Sequence, residues 1–204
     1  DSPMSRGLGD VYKRQPVNLT SLSYTDVDTA ALQVGTAAGD VSTLFVQDGG
    51  SLSGARLVAG GDAGSSAFIT VRGESIFSFE RVDMSWNGGT SAWFVTEDAS
   101  VHSETTWLGS IGSSTLGIEG GSTVDLGATR LGLELDGDAE INVGNGTLLT
   151  SWMTAGDFGD AVINVDGAAA SWINAGDALL AADGGCDADA VSYTHLRAHE
   201  TSEN

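Results

Sequence analysis

The sequence is short of most features that hold small proteins together or direct them to common partners. It has one cysteine, Cys186, which rules out an internal disulfide framework and a multi-cysteine zinc cluster. Its two prolines, Pro3 and Pro16, stand at the beginning, and none occurs from Val17 to Asp189. No apolar run approaches the roughly 20 residues that a bilayer-spanning helix needs, so no segment reads as transmembrane. Positive charge is the scarcest commodity: eight Lys and Arg face 28 Asp and Glu over 204 residues, a formal net charge of -20. Protein affinity for nucleic acid comes mainly from cations that neutralise phosphates, so nucleic acid is excluded as a partner. Attraction to an anionic membrane surface is excluded on the same ground.

The two ends differ in character from everything between them and are judged before any motif is read. Residues 1–15 and 190–204 hold Arg6, Lys13, Arg14 and Arg197, half of the basic residues. Ser5–Gln15 resembles the translation of a transposase-type sequencing-library adapter, and the reverse complement of that nucleotide string, in another frame, yields Val191–Glu200. One string that accounts for both ends marks them as non-native tails, expected to be disordered or ordered only by accident. The natural polypeptide is then expected to run from about Pro16 to Asp189 as a fragment of a longer chain. His195 and His199, spaced i and i+4 as in a zinc-binding helix, drop out with the tail. Between the tails 24 acidic residues face only Arg56, Arg72, Arg81 and Arg130, and no lysine remains.

What fills the middle is self-similarity. A pair of apolar residues two apart recurs as Leu44/Val46, Ile69/Val71, Trp93/Val95, Leu116/Ile118, Ile141/Val143 and Ile163/Val165. Successive second members are 25, 24, 23, 25 and 22 residues apart, a period that signals a solenoid. Each pair is followed by a turn and another apolar residue: Leu52, Ile76, Val101, Val124, Leu148 and Trp172. Each is preceded, about a dozen residues earlier, by a short segment such as Leu32–Gly35, Leu57–Gly60, Val82–Met84 or Met153–Gly156. The segments alternate apolar and polar with period two and are punctuated by Gly-Gly, Asp-Gly and Asn-Gly turns. Three short strands per coil of about 24 residues predict an all-β, single-stranded parallel β-helix, expected to be right-handed, of six to seven coils and about 30 Å length. The 27 glycines between the tails, 29 less Gly7 and Gly9, then serve its corners. The missing prolines leave every internal strand free to donate its N–H groups to the next coil.

Leu32–Gly35 with Leu44–Leu52, and Trp107–Gly109 with Ser114–Val124, resemble the β-helical repeats of bacterial autotransporter passengers and PEP-CTERM-associated surface proteins. The resemblance covers nearly all of Leu32–Asp183. It departs in the unit from Glu80 to Glu104, where Ser85-Trp86-Asn87 replaces Leu-Gly and Glu97-Asp98-Ala99 replaces Gly-Gly. It implies a secreted or cell-surface location, outer-membrane-associated, and a stalk or adhesive role, and it carries no catalytic residues. The partners it implies are surface glycans, host or cell-surface proteins, and the neighbouring coils of the full-length chain.

Candidate chemistry is sparse. Asp136 and Asp138, Asp157 and Asp160, and Asp183, Asp187 and Asp189 recur before or around the anchor strand of successive coils. Like charges 4 Å apart repel by about 1 kcal/mol in water, so a stacked column splays, takes up protons or binds a cation such as calcium. The same residues are also good turn formers, and their spacing matches no EF-hand loop. A polysaccharide-acting enzyme needs carboxylates with a base or metal on one face, and the natural segment offers a single histidine, His102. No catalytic, cofactor-binding or metal-ligating residue is therefore assigned. Arg72 and Glu97 are expected to pair across adjacent turns. Trp93 and Trp172 occupy anchor columns and are expected to be buried, whereas Trp86, Trp107 and Trp152 would make a glycan-stacking platform if they shared an exposed face. The expected function is a structural stalk or adhesin, with a polysaccharide-acting enzyme or a non-catalytic glycan-binding module as alternatives.

Overall fold

The computed structural model describes residues 31–180, together with the backbone of two further strands, Val17–Thr20 and Ala188–Ser192. Among these residues there is no helix, and so none long and apolar enough to cross a membrane. The chain forms a β-solenoid of about six turns, each of about 24 residues. One strand per turn builds a first sheet: β3 (Val41–Val46), β5 (Ser66–Arg72), β7 (Thr90–Thr96), β9 (Ser113–Ile118), β12 (Asp138–Val143) and β15 (Asp160–Val165), all parallel. The remainder of each turn builds a second sheet: β2 (Ala31–Val34), β4 (Ser51–Ala59), β6 (Ile76–Met84) and β8 (Ser100–Leu108), then β10 (Thr123–Asp125) with β11 (Ala128–Leu131), β13 (Thr147–Thr150) with β14 (Trp152–Ala155), and β16 (Ser171–Asn174) with β17 (Ala178–Leu180).

Register follows the repeat. Leu44, Ile69, Trp93, Leu116, Ile141 and Ile163 are successive partners across the first sheet, as are Val46, Val71, Val95, Ile118, Val143 and Val165. All twelve are buried. Removing a Leu- or Ile-sized side chain from water contributes about 1.5–3 kcal/mol, and each coil supplies two here before the second sheet adds its own. The matching column opposite them reads Leu52, Phe77, Val101, Val124, Leu148 and Trp172. Ile76, expected in that column, is displaced by its neighbour Phe77: Ile76 is 54 % exposed and pairs with Ser51 and Ser100 on the outer face. A slip of one residue along a strand exchanges the two faces.

The count of three strands per coil holds from β10 onward. In β4, β6 and β8 the second and third segments run together as one nine-residue strand. The break first appears at Gly127 and recurs at Ser151 in the next coil. Gly127 has φ +57°, and a Cβ there would strike the Glu104 and Ser103 carbonyls of the coil below.

The other corner, between the second sheet and the next strand of the first, is built by a column of left-handed residues: Gly35, Gly60, Ser85, Gly109, Gly132 and Gly156, with φ between 56° and 67°. Their N–H groups continue the ladder from coil to coil, for example Gly60 to the Val34 carbonyl at 3.1 Å and Gly156 to the Leu131 carbonyl at 3.0 Å. The irregular coil keeps this register and holds three of the five non-glycine residues with positive φ among the described residues, Ser85, Glu97 and Asp98. Glu97 (φ 60°) and Asp98 (φ 59°) stand where the next coil has Gly120 and Gly121. Since a side chain costs about 1–2 kcal/mol in this region and glycine returns part of that gain to the unfolded chain, Glu97→Gly and Asp98→Gly should each stabilise by about 0.5–1 kcal/mol. Urea midpoints of the two variants and their combination check this; a combined variant no more stable than the parent refutes it.

At the rims, β1 (Val17–Thr20) lies antiparallel to β3, Val17 opposite Val46, and β18 (Ala188–Ser192) continues the first sheet parallel to β15. The last residues of β18 belong to the segment expected to be an adapter tail; the rest of both expected tails lies outside the described residues. In the second sheet β2 pairs only with β4, and β16 and β17 form the opposite rim.

Candidate functional site

The outward columns of the second sheet, at the stretch leading to the left-handed corner, gather three of the four arginines among the described residues. One column reads Ala31, Arg56, Arg81, Thr105, Ala128 and Trp152; the next, two residues on, reads Gln33, Val58, Asp83, Trp107, Arg130 and Thr154. Trp86 follows the corner residue Ser85. Arg56 and Arg81 are direct partners one coil apart, a contact between like charges that parallel stacking forces on them. Asp83 resolves it. Its carboxylate accepts from Arg56 Nε at 2.7 Å and from Arg81 Nε at 2.8 and 3.0 Å, and its side chain is fully buried.

Aromatic rings extend the cluster along the rod. The Arg81 guanidinium lies 3.9 Å from the Trp107 ring centroid and 5.9 Å from that of Trp86, and the two rings stack at 5.5 Å with 16° between their planes. Arg130 lies 5.9 Å from Trp107 and 5.8 Å from Trp152. Contacts of this kind contribute about 0.5–1 kcal/mol each where exposed and more where water is excluded. Trp86 is 39 % exposed, and Trp107, Trp152 and the three arginines are half-buried. The three tryptophans singled out as a platform therefore share one face, joined by arginines.

Arg130 differs from its neighbours. In a chain with 28 acidic residues it makes no ion pair among the described residues, and its guanidinium lies near two rings.

Asp83 is the residue sequence reasoning missed. The signal was present: Arg56 and Arg81 are one repeat apart, and Asp83 follows Arg81 by two, which places all three on the same outward stripe. Removing a carboxylate between two cations leaves both uncompensated; because Arg56 and Arg81 are 29 % and 34 % exposed, solvent screens part of the cost. Asp83→Ala should destabilise by about 1–3 kcal/mol, and Arg56→Gln added to it should restore part of the loss. A double-mutant cycle from urea denaturation reads both terms, and simple additivity would mean that Asp83 does not serve this pair.

The remaining candidates are placed elsewhere. Arg72 does not pair with Glu97: its Nη2 and Nε donate to Gln47 Oε1 at 2.9 and 3.2 Å, one coil back. Its strand position brings it against the end of β3, whereas Glu97 sits past the end of β7 in a left-handed turn. His102 Nδ1 lies 3.1 Å from Asp125 Oδ2 on the exposed first half of the second sheet, beside a shallow depression lined by Ser78, Glu80 and Glu104. Asp138 and Asp160 are stacked partners in β12 and β15, with Asp136 and Asp157 in the turns before them. Calcium takes six to eight oxygens, and the described residues contain no group of three or more His, Cys, Asp or Glu placed to hold a metal. Trp93 is fully buried, and Trp172, near the rim, is half-buried. Asp183, Cys186 and Asp187 lie outside the described residues, and Asp189 is described only as backbone in β18.

Comparison of the chain with family models, with curated proteins and with solved structures yields no match.

Proposed function

We propose that this chain belongs to a secreted or cell-surface β-helical repeat protein and serves there as a stiff stalk with an adhesive face, without catalysis. The observation that carries this reading is the unbroken register of the coils. Every internal strand is hydrogen-bonded to the equivalent strand on either side, so bending or opening the rod at any one coil breaks ladder bonds and uncovers core columns together. Such a body transmits position over distance. Its outer surface, with net charge -20, stays hydrated and resists nonspecific association. The absence of catalysis is supported by how the cluster's carboxylate is used: Asp83 is buried and occupied by two arginines, unavailable to a substrate proton.

Glycan binding without catalysis is the second reading, favoured by the placement of Trp86, Trp107 and Trp152 on one face. Aromatic rings accept the apolar C–H faces of sugars at little conformational cost, and indole N–H groups serve their hydroxyls.

Location tests the main reading. An antiserum raised against residues 31–180 should label intact cells that produce the parent protein. Labelling that requires permeabilisation would overturn it.

A further inference from the structure

We propose that the stripe from Arg81 through Trp107 to Arg130 and Trp152 binds an acidic polysaccharide that carries a carboxylate on its sugar rings. This rests on the glycan-binding reading above and specifies its ligand class. The cluster holds three arginines against one carboxylate, Asp83, which engages only the Nε of Arg56 and of Arg81. It is a cationic island on a chain of net charge -20.

Arg130 is the centre of the inference. Among the described residues this half-buried guanidinium has no ion pair, on a protein rich in carboxylates; it lies 5.9 and 5.8 Å from two ring centroids and carries a planar fork of donors. That fork matches a carboxylate with two parallel hydrogen bonds, a geometry lysine cannot supply. Arg81 and Arg130 stand two coils apart, about 9.6 Å along the rod at the strand spacing. That is comparable to the repeat of an extended disaccharide, so carboxylates on alternate sugars meet Arg81 and Arg130, while the exposed parts of Trp86 and Trp152 border the sugars. The rod's negative charge does not forbid this ligand. Screening over about 8 Å at physiological ionic strength confines the repulsion, and the nearest groups decide the contact.

The test uses the full chain with oligogalacturonate as probe and maltooligosaccharide of the same length as neutral comparator. A chelator in the buffer prevents calcium from bridging two anions. Titration calorimetry and tryptophan fluorescence should show binding of the oligogalacturonate alone. Arg130→Gln should weaken it at least tenfold while the melting temperature falls by only a few degrees, about what losing two exposed cation–ring contacts costs; Arg130→Lys should restore less than the full affinity, and Arg72→Gln should bind as the parent does. No binding of the oligogalacturonate by the folded protein, or equal binding by Arg130→Gln, overturns the proposal. Equal binding of the neutral sugar, lost in Trp152→Ala, overturns the carboxylate specificity while leaving the glycan-binding reading intact. Sedimentation that shows concentration-dependent association abolished by Arg130→Gln would assign the stripe to a second copy of the chain and equally overturn the proposal.

Discussion

Alanine at Gly132 is expected to lower stability by about 3 kcal/mol or more, a fall in melting temperature of roughly 6–12 °C for a domain of this size. Two costs combine. Gly132 has φ +58°, where a Cβ costs about 1–2 kcal/mol. That Cβ would also lie 2.6 Å from the Asp160 carbonyl oxygen and 3.0 Å from the carbonyl carbons of Asp160 and Gly159. These are backbone atoms of the next coil and cannot rotate away, so the coils must separate and stretch their ladder. Gly109 faces the Asp138 carbonyl in the same way. Ser85 shows how one coil escapes the penalty. It has φ 56° at the equivalent corner, and its hydroxyl donates to the Ser113 carbonyl at 2.6 Å, converting the clash into a hydrogen bond. Its oxygen also lies 2.8 Å from Ser91 Oγ and 3.0 Å from Ser114 Oγ inside the rod. Ser85→Gly exchanges relief of strain for loss of these bonds and should stay within about 1 kcal/mol of the parent. Thermal unfolding followed by circular dichroism compares the two; a Gly132→Ala variant as stable as Ser85→Gly refutes the steric account of the corner.

The parts of this fold that were legible in the sequence are those repeated under the same constraint in every coil. The pair Leu44/Val46 and its five successors are buried on an enclosed face, so each coil independently requires two apolar residues there. The misplaced Ile76 shows what the pattern left ambiguous. Two adjacent apolar residues, Ile76 and Phe77, compete for one inward position, and hydropathy does not separate them. Spacing leans toward Phe77 without deciding: the inward residue follows the second anchor by six in Val46–Leu52, Val95–Val101 and Ile118–Val124, the offset that selects Phe77 from Val71, but by five in Val143–Leu148 and seven in Val165–Trp172. The outer face has no such recurrent demand. Arg72 bonds backward to Gln47 and not forward to Glu97 because side-chain reach, not coil order, chooses among exposed partners. The Arg56–Asp83–Arg81 cluster lies between these cases. Its register was available, but the full burial of Asp83 between Arg56 and Arg81 comes from packing on the outer face that no repeated position dictates.

Truncating Trp93 to alanine should cost about 3–5 kcal/mol, the largest single loss among the core positions. Trp93 is the bulkiest fully buried side chain and sits in the anchor column between Ile69 and Leu116. Its ring lies 5.3 Å from that of Phe77, which in turn is 4.8 Å from Phe79, so one residue supports an aromatic cluster contributed by two strands. The indole brings a defect with it: Nε1 is buried without a hydrogen-bond partner. Phenylalanine removes that orphaned donor, worth about 1–3 kcal/mol, while giving up part of the packing, so Trp93→Phe should fall within about 1.5 kcal/mol of the parent. The two substitutions therefore separate volume from polarity at one site. Because each coil contacts only its neighbours, the alanine variant should also loosen the rod locally. Amide hydrogen exchange should lose protection first in β5, β7 and β9, while β12 and β15 stay protected. A urea midpoint for Trp93→Ala equal to that of the parent would mean that this ring does not fill the core, and uniform loss of protection along the whole rod would mean that the coils unfold as one unit, against nearest-neighbour coupling.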